Sequence, residues 1–569
     1  MKSKTKQPKL YGDAEFARFH SEGTWGDKTI VQLFDERAAA TPDKTAIVER
    51  HRSLTYREVA AMSRNVAAAL RELGVEQGDV VAVQAPNWAE LPIVHLAAGR
   101  IGAIFLPLSE GFREKELSHL LRQSSAKVFM CPAAIRGVDH LTLVRDIAST
   151  ISTLEVVVPL RPDARTPGDA RTFDDLAADD SWMSRHTLEW LDEAGAEFDA
   201  DAPSHVMVSS GTTGLPRCSL FSDNNTIVKL IRQYRDASDV SQHDVAAALA
   251  PAGTGATGYN YPILAMLLNG GTSVMLEHWS GAHVEQALQL IEQNRCTVVV
   301  VVPAQLSKLL SSAMANSFDL TSVRVITNSG AKLPAILAEA AEDFFKCEVQ
   351  CIYGTSEAGA TAMTSIHDPV DKRRATVGRP LEGQQVMIVG DDNMPLPVGE
   401  PGEICWRGGN KSYGLLNDPE GTRNVWDAEG WLHSGDLGVI DSDGYLSVVG
   451  RKKDMIIRGG QNIHPGAIEE VLLQHPHVAE VAIVAFDDSV LGERIAACVV
   501  SRNVALTLDD LKVLIRSHGM AAWHQPELLV IVDEMPKNAG GKIDKRHLRT
   551  VATAASLVGA EPGVPVGVA

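Results

Sequence analysis

A loop of small polar residues follows a short apolar run in the first half of the chain. The loop consists of Ser209, Ser210, Gly211, Thr212, Thr213 and Gly214. Small residues let backbone N–H groups approach an anion, glycine reaches backbone angles that other residues avoid, and hydroxyls add donors. The loop therefore has the chemistry to hold phosphate oxygens. It is not a Walker loop, because no Lys-Ser or Lys-Thr follows the second glycine at the required spacing.

Four further motifs follow this loop, and their order distinguishes it from an ordinary surface turn. They read Tyr353-Gly354-Thr355-Ser356-Glu357, Gly430-Trp431-Leu432-His433-Ser434-Gly435-Asp436, Gly450-Arg451-Lys452-Lys453-Asp454 and Gly540-Gly541-Lys542-Ile543-Asp544-Lys545. With the loop, they resemble the signature set of the adenylate-forming superfamily, which includes acyl-CoA synthetases, aryl-acid AMP ligases, nonribosomal adenylation domains and luciferases. The resemblance covers nearly the whole chain, so the chain is identified as a member of the superfamily, and its branch stays open.

The resemblance implies a reaction in two halves. A carboxylate attacks the α-phosphate of ATP and releases pyrophosphate, and a thiol then captures the acyl adenylate. The phosphate charge must be met by preorganised donors and cations. The loop is expected to wrap the β- and γ-phosphates, and Arg217 supplies a cation where the family commonly has Lys. Because Arg is planar and a poorer point charge, we expect turnover to differ while binding survives; an exposed loop arginine is the alternative.

Matching positions imply which residues bind the nucleotide. Tyr353, followed by Gly354, is expected against adenine, and Thr355 near the α-phosphate. Glu357 is expected to hold Mg²⁺, because a carboxylate beside polyphosphate needs a metal between the two. A weaker match assigns three backbone positions to the adenine site, namely Gly330, Ala331 and Lys332.

The later motifs imply ribose-binding and catalytic residues. Asp436 is expected to accept hydrogen bonds from both ribose hydroxyls, and Arg451 to contact the same sugar. Lys542 resembles the lysine that the small domain inserts beside the α-phosphate during adenylation. A cation that arrives only in the closed state favours the transition state over the ground state.

The resemblance also implies a movement between the two half-reactions. Superfamily members rotate the small domain about a hinge residue, which matches Lys453. The rotation removes the catalytic lysine and presents Arg458, Gly459 and Gly460 to the acceptor thiol. The glycines would permit close passage of a pantetheine arm.

The acyl pocket is expected to form from residues 253–262, 302–306 and 328–330. Its named candidates are Tyr259, Asn260, Tyr261, Pro303 and Ser329. Residues 258–262 resemble the His-Asn-Tyr-Pro stretch of aryl-acid AMP ligases, in which Asn meets a ring hydroxyl. Tyr259 replaces that His and the following Ser-Ser-Pro-Gly is absent, which argues against a catecholate. Tyr259 and Tyr261 are either pocket walls or core aromatics. A buried Asn260 amide must be hydrogen-bonded, and a hydroxylated or keto ring acid would provide the partner.

These features favour an ATP- and Mg²⁺-dependent acid–CoA ligase for a cyclic or aromatic carboxylate. Residues 19–25 and 111–117 resemble both aryl-acid ligases and cyclohexanecarboxylate-type CoA ligases, and the Ile463-His464-Pro465 ending of the hinge motif fits the second group better. The alternative is an aryl-acid AMP ligase that loads the phosphopantetheine of a carrier protein. A non-catalytic nucleotide-binding relative is a third hypothesis, motivated by Arg217 and Cys218, and a luciferase-like oxygenase is disfavoured.

The elements that must position these residues alternate between strand and helix. The apolar run at 298–302 precedes a helical pattern, and this alternation predicts parallel sheets covered by helices, with ligands at the carboxyl ends of the strands. Residues 381–450 have short strands and Gly-containing turns, which predict a β-rich subdomain. The expected α/β architecture is a large N-terminal domain (1–450) of two such sheets plus that subdomain, a small mobile α+β lid (451–551) and a disordered tail (552–569).

Composition limits the partners. The chain has 569 residues, 45% of them hydrophobic, and a formal charge of −19, which suits a multidomain globular protein and disfavours nucleic acid or an anionic membrane as partner. No signal-peptide pattern and no run of about 18 apolar residues occur, so we expect a cytoplasmic protein. Seven scattered cysteines without a CxxC pair predict reduced thiols, and symmetry statistics alone favour a homodimer.

Overall fold

The computed structural model describes residues 12–135, 138–186, 190–191, 200–209, 215–227, 233–488, 490–502, 506–537 and 543–557. The chain divides into two compact units. Unit 1 is Met1–Val386 with Trp406–Leu432, and unit 2 is Met387–Cys405 with His433–Ala569. The β-rich segment is thus shared between the units, so this division differs from the expected domain boundary after residue 450. That boundary concerns the part of the chain that is expected to rotate, and it stays a prediction.

The strands within the described residues are, in chain order, β1 (Thr45–Val48), β2 (Ser53–Thr55), β3 (Val80–Ala85), β4 (Ile104–Ser109), β5 (Val128–Pro132), β6 (Ala134–Ile135), β7 (Val138–Asp139), β8 (Val156–Leu160), β9 (Pro203–Ser209), β10 (Arg217–Ser222), β11 (Val245–Ala248), β12 (Thr272–Met275), β13 (Val298–Val301), β14 (Val325–Asn328), β15 (Glu348–Thr355), β16 (Gly359–Met363), β17 (Arg379–Pro380), β18 (Gln384–Val389), β19 (Gly402–Gly408), β20 (Leu432–Ile440), β21 (Leu446–Arg451), β22 (Ile456–Arg458), β23 (Gln461–Ile463), β24 (Val478–Asp488), β25 (Gly492–Ser501) and β26 (Leu528–Ile531).

The α-helices of the same residues are Asp13–Ser21, Ile30–Ala40, Tyr56–Glu72, Glu90–Arg100, Glu114–Ser124, His140–Ala148, Phe173–Ala178, Asp223–Ile227, Arg235–Ser238, Thr257–Tyr259, Met266–Asn269, Val284–Gln293, Pro303–Ser311, Ala335–Phe345, Val370–Ala375, Pro419–Arg423, Pro465–Leu472, Leu508–Ser517 and Lys545–Leu557. A π-helical turn, Asn260–Ala265, joins two of them.

Unit 1 contains a six-stranded sheet in the order β10-β9-β4-β3-β5-β8. The pairs from β8 to β9 are parallel, and β10 is antiparallel to β9. All six residues of β3 are buried, as expected for a parallel strand covered on both faces. The hairpin of β9 and β10 at the sheet edge carries the two ends of the phosphate-type loop.

A nine-stranded sheet is the second scaffold of unit 1, in the order β17-β16-β15-β14-β13-β11-β12-β1-β2. Its central pairs, from β1 through β12, β11, β13 and β14 to β15, are parallel. The carboxyl ends of β13, β14 and β15 therefore lie side by side. Candidate residues follow each of them, which is where ligands bind in such sheets.

Unit 2 combines strands of the β-rich segment with a small α+β fold. In the former, β20 and β21 are antiparallel neighbours. In the latter, β22 to β26 form a sheet in which β25 pairs with β22, β24 and β26, and its longest pairing is the antiparallel one with β24. Val481 and Ile483 face a core with the helices Pro465–Leu472 and Leu508–Ser517, whereas Ala482 and Val484 face Leu548 of the last helix. This alternation follows the two-residue period of a strand and confirms the α+β prediction.

The C-terminal tail requires a correction. The last helix continues to Leu557, and Ala552 and Ala555 are buried against the sheet. Residues 552–557 are therefore ordered in a helix, because both alanines extend the apolar face begun by Leu548 at helical spacing. Residues 558–569 lie outside the described residues.

Two predictions about the chain as a whole can be compared with the structure. None of the helices in the described parts of the chain combines the length and the apolarity that crossing a membrane requires. All seven cysteines are described, and all are free thiols, as predicted. Cys218 is buried on β10, and this burial raises its pKa to about 12, so the thiol is not a nucleophile at neutral pH.

Candidate functional site

The phosphate-type loop is the connection of a β-hairpin. Ser209 at the end of β9 pairs with Arg217 at the start of β10. Residues Ser210, Gly211, Thr212, Thr213 and Gly214 lie outside the described residues, and their role stays a prediction. Ser209 Oγ is buried and has no hydrogen-bond partner among the described residues.

Arg217 is paired with Glu357, a contact that the motifs do not predict. Arg217 Nη2 donates to Glu357 Oε1 at 2.8 Å, and the two side chains are only 23% and 13% exposed. The alternative of an exposed loop arginine is therefore wrong. The structure thus brings together the cation expected at the phosphates and the carboxylate expected at Mg²⁺, through residues 140 positions apart.

A second hairpin, β15 and β16, positions Glu357. Thr355 pairs with Gly359 across the turn. A Cβ at Gly354 would lie 2.1 Å from the Gly359 carbonyl oxygen, so glycine is required there for strand packing, whatever its role toward a nucleotide. The hairpin therefore holds the Glu357 carboxylate in the turn that follows Thr355.

Tyr353 precedes this turn and is nearly buried. Its ring meets Trp406 edge to face, with centroids 5.7 Å apart. The motifs give no sign of Trp406, because it is far from Tyr353 in sequence. An aromatic ring packed against Tyr353 can hold the tyrosine ring in position for stacking. The contact fixes one side of the Tyr353 ring, and the proposed adenine contact stays a prediction.

Three buried polar atoms around the Arg217–Glu357 pair lack partners within the described residues. They are Ser209 Oγ, Arg217 Nε and Thr355 Oγ1. A buried polar atom without a partner costs free energy, so its position calls for an explanation. Phosphate oxygens would accept hydrogen bonds from all three groups, and these residues therefore fit a polyphosphate.

The same residues fit a metal that binds together with the phosphates. No cluster of three or more His, Cys, Asp or Glu side chains able to hold a metal occurs among the residues described. Mg²⁺ is commonly bound by one or two carboxylates plus substrate phosphates. Glu357 supplies one such carboxylate, so the arrangement suits a metal–nucleotide complex better than a resident ion.

The segment expected at adenine follows β14. Gly330 has φ +87°, in the left-handed region that favours glycine. Asn328 Nδ2 donates to the Ala331 carbonyl oxygen at 3.1 Å, and Lys332 is exposed. The glycine and this hydrogen bond shape a turn whose backbone borders the carboxyl end of the sheet.

Some acyl-pocket candidates are packed inside the core, whereas one has a buried polar atom without a hydrogen-bond partner among the described residues. Tyr259 is buried, and its hydroxyl lies 2.8 Å from His95 Nδ1. Burial lowers the pKa of His95 to about 3, so this imidazole is neutral at pH 7. Tyr261 packs on Tyr234 with ring centroids 5.0 Å apart. These contacts favour the core interpretation for both tyrosines, and sequence alone gave no sign of His95.

Asn260 is the unsatisfied candidate. It is 4% exposed, its Oδ1 has no partner among the described residues, and its Nδ2 reaches only Met207 Sδ at 3.5 Å. Ser329 Oγ lies 3.0 Å from Thr257 Oγ1, at the start of the segment that carries Asn260. Pro303 opens the helix after β13 and is half-buried. The structure thus links the 257–260 segment to the end of β14.

In unit 2, Asp436 and Arg451 are direct cross-strand neighbours on β20 and β21. Arg451 Nε donates to Asp436 Oδ1 at 3.0 Å, with the side chains 44% and 8% exposed. Ser434 Oγ accepts from the Asp436 N–H at 3.0 Å, and Glu403 Oε1 accepts from the Gly435 N–H at 2.9 Å. The two residues expected at the ribose therefore lie side by side on strands that their neighbours hold in place, and their contact with the sugar stays a prediction.

The expected hinge and thiol-side residues also lie in unit 2. Lys453 is exposed in a short 3₁₀ turn, Lys452–Asp454. Gly459 and Gly460 have φ +56° and +82° and join the antiparallel strands β22 and β23, so a two-residue turn already requires both glycines. Arg458 donates from Nε and Nη2 to Glu527 Oε1 at 3.0 and 2.6 Å, and Glu527 was missed because it lies far along the chain. Lys542 lies outside the described residues.

Unit 1 has two sheets with parallel strands and a hairpin that carries the ends of the predicted phosphate loop, and unit 2 has the carboxylate and arginine predicted at the ribose. This is the arrangement expected of an enzyme that uses a nucleotide. The chain matches the AMP-binding enzyme family over residues 34–416 and the AMP-binding enzyme C-terminal domain over residues 467–542. It belongs to that family. Enzymes of this family use ATP and activate an acyl or aryl acid, and this chain is an acid–thiol ligase.

Relatives and a solved structure agree with this assignment. The chain is 31% identical to the medium-chain fatty-acid–CoA ligase of Escherichia coli (strain K12), covering 95% of this chain and 93% of that one. It is 30% identical to the 2-hydroxy-7-methoxy-5-methyl-1-naphthoate–CoA ligase of Streptomyces carzinostaticus, with coverages of 94% and 95%. The anthranilate CoA ligase AuaEII in complex with anthranoyl-AMP superposes with a TM-score of 0.83 at 23% identity, over 93% and 98% of the two chains, which supports the fold.

Proposed function

We propose that this chain forms the coenzyme A thioester of an aromatic or cyclic carboxylic acid, using ATP and Mg²⁺. The observation that supports the nucleotide half is the Arg217–Glu357 pair, beside buried polar atoms that have no partner among the residues described. The observation that carries the acid is the buried Asn260 side chain with an unused acceptor oxygen.

In the adenylation half, a carboxylate oxygen of the acid attacks the α-phosphorus of ATP. The bond between that phosphorus and the bridging oxygen breaks, and pyrophosphate leaves. Ser209, Thr355 and Arg217 donate to the phosphate oxygens, and Lys542 adds a cation at the α-phosphate. Mg²⁺, held on Glu357, neutralises phosphate charge when it is bound.

The remaining residues bind the sugar and serve the transfer half. Asp436 accepts the ribose hydroxyls, and Arg451 supports that carboxylate and contacts the sugar. The thiol sulfur attacks the acyl carbon, its proton is lost, and AMP leaves. The lid rotates about Lys453 between the halves, and the hairpin with Arg458, Gly459 and Gly460 then borders the thiol path. Glu527 keeps the Arg458 side chain in one orientation.

Asn260 favours an acid whose ring carries a hydrogen-bond donor. Its Oδ1 can accept from a hydroxyl or an amino group, whereas a plain hydrocarbon chain would leave the oxygen unsatisfied at a cost of about 1–3 kcal/mol. Tyr259 is already hydrogen-bonded to His95, so polar recognition falls to the amide. A relative named for a hydroxylated naphthoate is consistent with this choice.

The second candidate is an aryl-acid AMP ligase that loads a carrier protein. It is favoured by the resemblance of residues 258–262 to the acyl-pocket stretch of those enzymes. Both candidates share the adenylation half, and they differ only in whether the thiol is free coenzyme A or a protein-bound pantetheine.

Acid-dependent exchange of labelled pyrophosphate into ATP tests the proposal. The panel contains benzoate, salicylate, other hydroxybenzoates, cinnamates, cyclohexanecarboxylate and medium-chain fatty acids, followed by coenzyme A as acceptor. We expect the fastest exchange with ring acids that carry a donor, and Asn260→Leu should reduce that preference about tenfold. Exchange with fatty acids alone would refute the ring-acid assignment, and no exchange with any acid would refute the ligase.

A further inference from the structure

The ion pair of Arg217 and Glu357 engages one oxygen of the carboxylate that a metal would also need. Arg217 Nη2 lies 2.8 Å from Glu357 Oε1. A guanidinium and a divalent cation on one carboxylate repel each other, and at side chains this shielded from water the repulsion is stronger than at the surface. Mg²⁺ and Arg217 therefore compete for Glu357.

Both partners of the pair are held by strand pairing. Arg217 pairs with Ser209 at the end of one hairpin, and Glu357 follows Thr355 in the turn of another. Neither backbone can move far without breaking a hairpin, so a change of partner must come from the side chains. Arg217 has the longer side chain of the two.

Arg217 also has unused hydrogen-bonding capacity. Its Nε is buried and has no partner among the described residues, while Nη2 is engaged. A guanidinium carries five N–H donors in a fixed plane, whereas an ammonium is a single point charge. Arg217 can therefore donate to a phosphate oxygen through Nε–H before Nη2 leaves Glu357.

We propose that Arg217 is a reversible lock on the metal-binding carboxylate. The guanidinium pairs with Glu357 until a nucleotide polyphosphate binds, then transfers to the phosphate oxygens and frees Glu357 for Mg²⁺. This inference rests on the proposed function. It gives a role to the arginine that stands here where the superfamily pattern has lysine, because a planar guanidinium holds two partners in a fixed geometry as it passes between them, whereas an ammonium is a compact point charge.

The lock predicts that removing the charge of Glu357 strengthens the binding of metal-free ATP. In Glu357→Gln, Arg217 no longer has to leave a carboxylate, so metal-free ATP should bind about fivefold more tightly than to the unchanged protein. The added effect of Mg²⁺ on ATP affinity should shrink by a similar factor. Glu357→Asp keeps the charge but shortens the side chain. Its affinity for metal-free ATP should lie between those of the unchanged protein and Glu357→Gln.

Isothermal titration calorimetry on the full chain tests this, with ATP in EDTA and in Mg²⁺ and no acid present. Glu72→Gln is the matched control, since Glu72 pairs with Arg185 at 2.5 Å and the same substitution changes the net charge equally. A gain for Glu357→Gln beyond that control supports the lock. If Glu357→Gln binds metal-free ATP no more tightly than the control, the lock is overturned. If the glutamine variant does not fold, the same comparison is made with Glu357→Asp.

The titration of the unchanged protein separates the two proposals. If it does not bind ATP even with Mg²⁺, the proposed function fails. If it binds ATP with Mg²⁺ and the Glu357 variants gain no metal-free affinity, the lock alone fails.

Discussion

Two arginine–carboxylate pairs, one in each unit, are built in different ways. Asp436 and Arg451 face each other on adjacent strands of one hairpin, and the hairpin register alone brings them together. Arg217 and Glu357 come from hairpins of two different sheets and lie 140 residues apart in sequence. The first pair follows from local structure, whereas the second depends on the packing of all of unit 1.

The two pairs also differ in their exposure to solvent. Arg451 is 44% exposed, and Arg217 is 23% exposed. Solvent screens an exposed pair, which contributes little, while loss of a shielded partner leaves an uncompensated charge. We therefore expect substitutions in the Arg217–Glu357 pair to have the larger effects.

The largest effect is expected from Glu357→Gln on catalysis. Loss of the metal-binding carboxylate should reduce acid-dependent pyrophosphate exchange at least about 100-fold, because phosphate charge is then poorly neutralised in the transition state. Exchange kinetics at saturating ATP, with Glu72→Gln as the control, measure the effect. A loss under about tenfold would mean that the carboxylate is not at the reacting phosphates.

A buried carboxylate for which the described residues provide no arginine partner gives the next contrast. Asp223 accepts from the Ile30 N–H at 2.8 Å, and burial raises its pKa from 3.8 to about 6. The folded state then binds more protons than the unfolded state between about pH 4 and 6, so stability falls as pH rises through this window. Asp223→Asn can keep the hydrogen bond and should raise the free energy of unfolding by about 2 kcal/mol at pH 7.

Urea unfolding at several pH values tests that contrast. The gain from Asp223→Asn should be present above about pH 6 and vanish near pH 4. Asp43→Asn is the control, because Asp43 is 84% exposed beside Arg57. A gain that is the same at both pH values would show that charge burial is not its cause.

A smaller effect is expected at the ribose-type pair. Asp436→Asn keeps the shape but loses the charged acceptor, and the KM for ATP should rise about tenfold with a smaller change in kcat. Steady-state kinetics at fixed acid and thiol measure it. If this variant lost more exchange activity than Glu357→Gln, the ranking of the two regions would be reversed.

The smallest effect is expected from Arg451→Lys. The lysine keeps the charge on an exposed strand, so ATP affinity should fall no more than about threefold, and unfolding free energy should change by less than about 0.5 kcal/mol. Calorimetric titration and urea unfolding measure both values. A tenfold loss of affinity would indicate that the planar guanidinium itself binds the sugar.

Local patterns in the sequence predicted much of the fold. The apolar run at 298–302 became β13 followed by a helix, and the small α+β fold predicted near the end of the chain is present in unit 2. The prediction is wrong at residues 552–557, which begin a tail whose Ala, Gly, Val and Pro content predicts disorder. There, the spacing from Leu548 to Ala552 and Ala555 was the better guide to a helix.

Long-range contacts of the site could not be predicted in the same way. The hydrogen bond of Tyr259 to His95 joins residues 164 positions apart, and Arg458 reaches Glu527 across 69. Motifs identify each residue by its neighbours in sequence, but such pairs exist only after the sheets and helices have packed. The loop segment therefore indicates Arg217 and a separate motif indicates Glu357, and neither predicts the contact between them.

The most direct test of the central claim is to identify the products by mass spectrometry. The full chain is incubated with ATP, Mg²⁺, coenzyme A and the best ring acid from the exchange panel. We predict AMP, pyrophosphate and the acyl-coenzyme A thioester in equal amounts, with none of the three formed when the acid is omitted. Formation of ADP, or hydrolysis of ATP that does not depend on the acid, would contradict the account.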